Sequence, residues 1–62
     1  MTRLDAITVL TKGHKITHKD FMDSEYLYIK NNIITTEDGY DFTKQFWVKL
    51  ALKDGWSIYK EK

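Results

Sequence analysis

The chain has 62 residues, enough for one domain that spans residues 1–62. It contains no cysteine and only two histidines, so disulfides and thiolate zinc sites are excluded and no metal site is expected. Ten basic residues against nine acidic ones give a net charge of +1, which argues against a dedicated nucleic-acid binder. No stretch reaches the ~20 apolar residues of a membrane span, and no signal peptide is evident. This composition predicts a soluble cytoplasmic protein with no membrane association.

The size of the chain also predicts association of copies. A domain this short buries only about 60% of the surface that its unfolded chain exposes, so low stability is expected. Small domains compensate with disulfides, a metal or oligomerisation, and the composition leaves only the last. We therefore expect a homo-oligomer, with a monomer of modest stability as the alternative. Two tryptophans, four tyrosines and three phenylalanines exceed what so small a core needs, which predicts aromatic side chains at a pocket or an interface.

The first predicted element is a helix that begins after Thr2. Thr2 is a good N-cap, and Asp5 follows three residues later, as in a capping box. The apolar residues Leu4, Ile7 and Leu10 recur at helical spacing and predict one buried face. Gly13 can adopt the left-handed conformation that ends a helix.

The middle of the chain predicts strands. Residues 14–18 alternate one apolar residue with polar ones, which is typical of a short edge strand, and residues 19–25 resemble a loop. Residues 26–30 form the strongest strand, with Leu27 and Ile29 on one face and Tyr26 and Tyr28 on the other. A two-residue turn at positions 31 and 32 then leads to a second strand over 33–36, so these segments predict a β-hairpin.

The last part of the chain predicts a turn, a helix and a strand. Gly39 marks a turn, residues 40–42 can extend the sheet, and Asp41 or Thr43 can cap a helix over about 43–53. Gly55 ends that helix, and residues 56–59 form the final strand. The order α-β-β-β-α-β predicts the α+β class, with a small antiparallel sheet packed by two helices.

No arrangement of residues predicts catalysis. Neither Ser24 nor Ser57 lies in a recognisable nucleophile elbow, and the three glycines are isolated rather than clustered around a phosphate. On a strand, His14 and His18 would stand roughly 13 Å apart, too far to share a metal ion. We therefore expect a binding protein rather than an enzyme, and one without a cofactor.

Three groups of residues are candidates for binding. In the first, a hydroxyl, an imidazole, a cation and a ring could hold a phosphate and stack a base, with a solvated edge strand as the alternative. The second is a tyrosine surface, which ordinary cross-strand packing would also explain. The third joins a carboxylate near a helix end to a tryptophan that could equally anchor the core. The groups are Thr17, His18, Lys19 and Phe21; Tyr26 and Tyr28, with Tyr59 a neighbour if the strands pair; and Asp54 and Trp56.

These segments resemble the Thoeris anti-defence sponges, small phage proteins that sequester cyclic nucleotides. That family has a short helix, a run Lys-x-Gly-x-Lys-Val-x-Arg-x-x-Trp, a tyrosine-rich strand, an acidic glycine turn and an ending similar to Asp-Asp-Trp-Glu-Ile-Tyr. The corresponding segments here are residues 12–21, 26–29, 37–39 and 54–59. His18 stands where the family commonly has Arg, and Phe21 where it commonly has Trp.

The resemblance implies a homo-oligomer of compact α+β fold that sequesters a cyclic nucleotide in the host bacterial cytoplasm and does not cleave it. Phosphate or ribose contacts would then fall to Thr17, His18 and Lys19. Phe21 and Tyr28 would stack on a base, and Asp54 would hydrogen-bond a base edge or hydroxyl. The alternative function is a small phage inhibitor that blocks a host protein, either a defence nuclease or a transcription factor, through an exposed aromatic surface.

Overall fold

The computed structural model describes residues 1–60 and confirms the predicted α+β class and element order. Four antiparallel strands form one sheet in the order β3-β2-β1-β4, and a short 3-10 helix precedes the last strand. No helix in this part of the chain is long and apolar enough to cross a membrane. The elements are α1 (Arg3–Thr11), β1 (Ile16–His18), β2 (Leu27–Lys30), β3 (Ile33–Thr36), α2 (Thr43–Val48), the 3-10 helix (Leu50–Leu52) and β4 (Trp56–Ile58).

Helix α1 begins and ends where the sequence predicts. The Asp5 amide donates to Thr2 Oγ1 at 3.2 Å, and Gly13 follows the helix with a φ of 96°. Its buried stripe is narrower than predicted, because Ala6 and Leu10 are buried while Leu4 is 68% exposed. The prediction that Leu4 lies on the buried face is therefore wrong.

Strand β1 lies inside the sheet, so the prediction of an edge strand is wrong. Ile16 pairs with Leu27 of β2 on one side and with Ile58 of β4 on the other. The polar residues of β1 are compatible with this position because the ring of His18 is fully hydrogen-bonded and Thr17 points to the opposite face.

The outer edge of β3 is closed by residues 40–42. The Thr36 amide donates to the Tyr40 carbonyl at 2.8 Å, and the Phe42 amide donates to the Ile34 carbonyl at 2.7 Å. The predicted extension of the sheet at residues 40–42 is thus confirmed as an isolated bridge between Thr35 and Asp41. The Thr43 amide and hydroxyl donate to Asp41 and hold the pKa of its carboxyl below the usual range.

The second helix is shorter than the predicted 43–53. Lys49 is extended, with φ −75° and ψ 120°, so α2 ends at Val48 and a 3-10 helix follows. The break has a packing reason. A continuous helix would align Leu50 with Phe46, whereas the observed path buries Leu52 beside Phe46 and leaves Leu50 in solvent.

One hydrophobic core joins the helices to a single face of the sheet. Alternation along the paired strands places the apolar strand residues on this face, and α1, α2 and the 3-10 helix supply the rest. The core residues are Ala6, Leu10, Ile16, Leu27, Ile34, Phe46, Leu52 and Trp56. The opposite face of the sheet therefore lies away from both helices.

Candidate functional site

The face of the sheet opposite the core carries three tyrosines. Alternation places Thr17 of β1 and Ser57 of β4 on this face, and the two residues are direct partners in the register. Tyr28 of β2 shares it, and Tyr26 and Tyr59 lie just before β2 and just after β4. We call the surface formed by Lys15, Thr17, Tyr26, Tyr28, Ser57 and Tyr59 the tyrosine face.

The three rings of the tyrosine face contact one another. The ring centroids of Tyr26 and Tyr59 are 4.7 Å apart, and those of Tyr26 and Tyr28 are 6.0 Å apart. Because β1 separates β2 from β4, the Tyr26–Tyr59 contact bridges over β1. The Lys15 ammonium lies 4.7 Å from the Tyr26 ring centroid, within cation–π range. The rings are tilted to one another by 37° and 47°, so they form an uneven aromatic surface with a positive charge beside it, on which a base could stack.

A concave surface of about 460 Å³ adjoins the tyrosine face. We call it the lysine pocket, because Lys19 and Lys60 lie on its rim, with Asp23 as the one acidic lining residue. The other residues that line it are Thr17, His18, Phe21, Met22, Gly55, Ser57 and Tyr59. Two ammonium groups against one carboxylate make the pocket suitable for an anion.

Two hydroxyl groups of the lysine pocket have different hydrogen-bonding capacities. Thr17 Oγ1 donates to the Glu25 carbonyl at 2.9 Å, so its proton is engaged within the protein and the oxygen can only accept. A phosphate oxygen needs a donor, and Thr17 does not suit the phosphate contact predicted for it. Ser57, its cross-strand neighbour, is exposed and presents a hydroxyl that can donate.

His18 is a core residue and not an exposed ligand-binding side chain. It is 3% exposed, and its Nε2 lies 2.6 Å from the Asp54 carbonyl oxygen. A carbonyl can only accept, so Nε2 carries the proton, while Nδ1 accepts from the Asp20 amide at 3.1 Å. These two bonds fix the neutral Nε2–H tautomer and leave no ring nitrogen for a phosphate.

The other two aromatic candidates also belong to the core side. Trp56 is 2% exposed, and its Nε1 donates to the Leu52 carbonyl at 2.7 Å. Phe21 is half-buried and packs edge-to-face on Trp56, with ring centroids 5.7 Å apart. Phe21 also lines the lysine pocket, as His18 does, whereas Trp56 does not. Trp56 thus has the core-anchor role that was its alternative interpretation.

The structure therefore separates the eight candidate residues. Thr17, Tyr26 and Tyr28 lie on the tyrosine face, and Lys19 lies at the lysine pocket. His18 and Phe21 line that pocket from the core side, and Trp56 is in the core. Asp54 is exposed and lines a different concave surface, next to Thr2, Leu4 and Trp47. Sequence reasoning did not select Ser57 and Lys60, which join the site only because β4 pairs with β1.

Among residues 1–60, no group of three or more histidine, cysteine, aspartate or glutamate side chains could hold a metal ion. Comparison of the chain with protein-family models, with curated proteins and with solved structures finds no match. A function is therefore inferred from the geometry of the tyrosine face and the lysine pocket.

Gly55 lies close to His18 and Lys19, and replacing Gly55 with alanine should destabilise the fold. Its φ is 91°, and an added Cβ would lie 3.0 Å from His18 Nε2 and 3.1 Å from Lys19 Cδ. We expect Gly55→Ala to lower the free energy of unfolding by about 2–3 kcal/mol, from backbone strain plus displacement of His18. Urea denaturation followed by circular dichroism measures the change.

Gly39→Ala is the matched control for Gly55→Ala. Gly39 has a φ of 90°, but an added Cβ would meet nothing within 4 Å. The control should therefore lose only the backbone term, about 1–2 kcal/mol. Equal losses in the two variants would show that the His18 contact contributes nothing.

Proposed function

We propose that the protein binds a cyclic nucleotide immune signal on the tyrosine face and in the lysine pocket, and sequesters it without cleavage. In this proposal it is a phage anti-defence protein that acts in the cytoplasm of the bacterial host. The supporting observation is the contiguity of three contacting tyrosine rings with a concave surface that two lysines border. Aromatic surfaces stack bases, and cations neutralise phosphates, so the two parts match the two halves of a nucleotide.

The aromatic half of the site receives the base. Tyr26 contacts both Tyr28 and Tyr59, so the three rings hold one another in place before a ligand arrives. Fewer side-chain rotamers then remain to be frozen on binding, which favours affinity. Tyr28 keeps the stacking role that the sequence predicts for it, and Tyr26 and Tyr59 join it.

The polar half of the site receives phosphate or ribose. Lys19 and Lys60 both line the lysine pocket and can neutralise a phosphate there, and Ser57 can donate a hydrogen bond to it. Thr17 accepts only, which suits a ribose hydroxyl better than a phosphate. All of these are binding roles, and sequestration needs nothing more.

A ligand panel tests this proposal. The purified protein would be incubated with glycocyclic ADP-ribose and with cyclic dinucleotides, and binding measured by isothermal titration calorimetry. The protein would then be denatured and the released ligand identified by mass spectrometry. Intact ligand at stoichiometric yield is the expected result, whereas a cleaved product would contradict sequestration and no binding by any member would contradict the proposal.

Removal of one stacking ring should weaken binding of the panel ligand. Tyr26→Ala deletes the ring that contacts both neighbours, and one base–aromatic contact is worth about 1–3 kcal/mol, which corresponds to roughly 5- to 150-fold in the dissociation constant. Tyr40→Ala is the matched control, because Tyr40 is 71% exposed and lies outside the tyrosine face. Equal affinities for the two variants would place the ligand elsewhere.

A protein inhibitor is the second candidate function, and the half-buried state of the three tyrosines favours it. Tyrosines of this kind are enriched at protein interfaces, since each ring buries apolar area while its hydroxyl forms hydrogen bonds. The same pair of variants distinguishes the functions. A host-lysate pull-down that yields one stoichiometric partner, lost in Tyr26→Ala and kept in Tyr40→Ala, would support the inhibitor if no nucleotide binds.

A further inference from the structure

A second concave surface, of about 430 Å³, lies where the start of α1 meets α2 and the residues that follow the 3-10 helix. We call it the tryptophan pocket, and it is lined by Thr2, Arg3, Leu4, Trp47, Lys53 and Asp54. Among residues 1–60, it shares none with the tyrosine face or the lysine pocket. Ligand sites commonly enclose about 300–1,000 Å³ and combine apolar walls with a few polar groups, and the tryptophan pocket has both properties.

Backbone contacts shape the tryptophan pocket before any ligand binds. The Arg3 amide donates to the Lys53 carbonyl at 2.8 Å, and the Arg3 guanidinium donates to the Lys49 carbonyl at 2.6 Å. Thr2 and Asp54 also form an isolated β-bridge. These contacts join the start of α1 to residues 49–54, so the walls of the pocket keep their spacing without a ligand. A preformed concave surface of this kind is typical of small-molecule sites.

Two apolar side chains of the tryptophan pocket are largely exposed to solvent. Leu4 is 68% exposed, and Trp47 is 44% exposed. The Trp47 ring also packs edge-to-face on the buried Phe46, with ring centroids 5.2 Å apart, and this contact orients the indole. A ligand that covers Leu4 and Trp47 removes apolar area from water, and an aromatic ligand adds a ring–ring contact with the indole. The apolar part of the pocket therefore favours an aromatic ligand.

The charges of the tryptophan pocket favour an anion. Arg3 and Lys53 supply two positive charges against the single negative charge of Asp54. In the described part of the chain, neither cation forms an ion pair. The Arg3 guanidinium also has more donors than acceptors around it, because its Nε is buried without a hydrogen-bond partner among residues 1–60. A carboxylate would bring acceptors that the protein itself does not place beside these two cations.

We propose that the tryptophan pocket binds a small aromatic carboxylate. The ring of the ligand covers Leu4 and Trp47, and its carboxylate lies beside Arg3 and Lys53. Asp54 opposes the carboxylate, so the pocket favours a ligand with one negative charge over a ligand with two. Because the pocket shares no described residue with the tyrosine face or the lysine pocket, binding here does not depend on the proposed nucleotide.

An NMR titration of the full chain with cinnamate, an aromatic ring joined to a carboxylate, tests the class of ligand. We expect saturable binding with a dissociation constant of about 1 mM or lower. The amide signals of residues 2–4 and 47–54 should shift. Cinnamamide keeps the ring but has no charge, and it should bind at least about threefold more weakly. The proposal is overturned if cinnamate does not bind up to about 10 mM, if the shifts are confined to residues 15–30, or if cinnamamide binds as tightly as cinnamate.

Two substitutions that each remove one charge should act in opposite directions. Lys53→Gln removes a cation and should raise the dissociation constant for cinnamate about three- to fivefold, whereas Asp54→Asn removes the opposing carboxylate and should lower it at least about twofold. Both substitutions keep the backbone carbonyls that bond Arg3 and His18. Lys44→Gln makes the same charge change at an exposed residue outside the pocket, and it should alter the constant less than about 1.5-fold. Equal affinities of Lys53→Gln and Lys44→Gln would overturn the proposal.

The aromatic part of the pocket has its own test. Trp47→Ala removes the exposed indole and should raise the dissociation constant for cinnamate at least about fivefold, with circular dichroism to check that the fold is kept. Tyr26→Ala removes a ring of the tyrosine face instead and should bind cinnamate as the wild type does. Weaker binding by Tyr26→Ala together with unchanged binding by Trp47→Ala would place the ligand on the tyrosine face and overturn the proposal.

Discussion

Replacing Leu52 with alanine is expected to lower the free energy of unfolding by about 2–4 kcal/mol, whereas the same change at Leu50 should alter it by less than about 0.5 kcal/mol. The two leucines lie two residues apart in the same 3-10 helix, but Leu52 is 5% exposed and Leu50 is 87% exposed. Truncation of Leu52 leaves a cavity in the core, while truncation of Leu50 removes atoms that solvent already surrounds.

Urea denaturation at one fixed protein concentration measures both changes, since association would otherwise alter the apparent stability. The comparison also tests the break in the helix at Lys49. A helix that continued past Val48 would bury Leu50 with Phe46 and expose Leu52. A larger loss for Leu50→Ala than for Leu52→Ala would therefore contradict the observed path of the chain.

Replacing His18 with phenylalanine is expected to cost about 2–4 kcal/mol of stability, although an aromatic ring is kept at the position. The substitution leaves the Asp54 carbonyl and the Asp20 amide without the ring nitrogens that bond them. A fully buried polar group that loses its partner costs about 1–3 kcal/mol, and these two groups are partly buried. Thermal and urea denaturation measure the loss.

Lys19→Ala is the matched control for His18→Phe, because the adjacent Lys19 side chain is exposed on the pocket rim. It should change stability by less than about 0.5 kcal/mol and weaken ligand binding instead. The opposite pattern, a stable His18→Phe protein that no longer binds nucleotide, would restore His18 to the binding role that the sequence predicts.

Local signals explain why much of the fold was predictable. Asn31 and Asn32 both have positive φ, at 52° and 63°, so the pair defines the tight turn between β2 and β3. Thr2 caps α1 through its side chain, and Gly13 and Gly55 also have positive φ. Each of these features depends on residues close in sequence, and for that reason it can be inferred without a tertiary structure.

The unpredicted features all depend on contacts between distant residues. The position of β1 inside the sheet follows from its pairing with β4, and no local pattern in the sequence around Ile16 predicts that pairing. Burial of His18 requires the Asp54 carbonyl, 36 positions later. At the helix break, the guanidinium of Arg3, from the start of the chain, donates a hydrogen bond to the Lys49 carbonyl. A polar pattern alone could not distinguish a buried, satisfied histidine from an exposed one.

Part of the candidate site was predictable for the same reason. Alternation in one strand puts Tyr26 and Tyr28 on the face opposite Leu27, and this holds whichever strands flank it. The presence of Tyr59, Ser57 and Lys60 in the same site could be predicted only with knowledge of the register between β1 and β4. Trp56 and Asp54 do not lie in one site. Trp56 begins β4 and is buried in the core, whereas Asp54 precedes the strand and lines an exposed concave surface.

The placement of the two tryptophans makes each of them a separate optical reporter. Trp47 lies near the end of α2 and is 44% exposed, whereas Trp56 is enclosed in the core. The tyrosine face contains neither indole. With Trp56→Phe, the remaining emission comes from Trp47 and should report changes at the surface of α2, and with Trp47→Phe it should shift only when the core opens. Events at the surface of α2 and unfolding of the core can thus be followed separately, without an added dye.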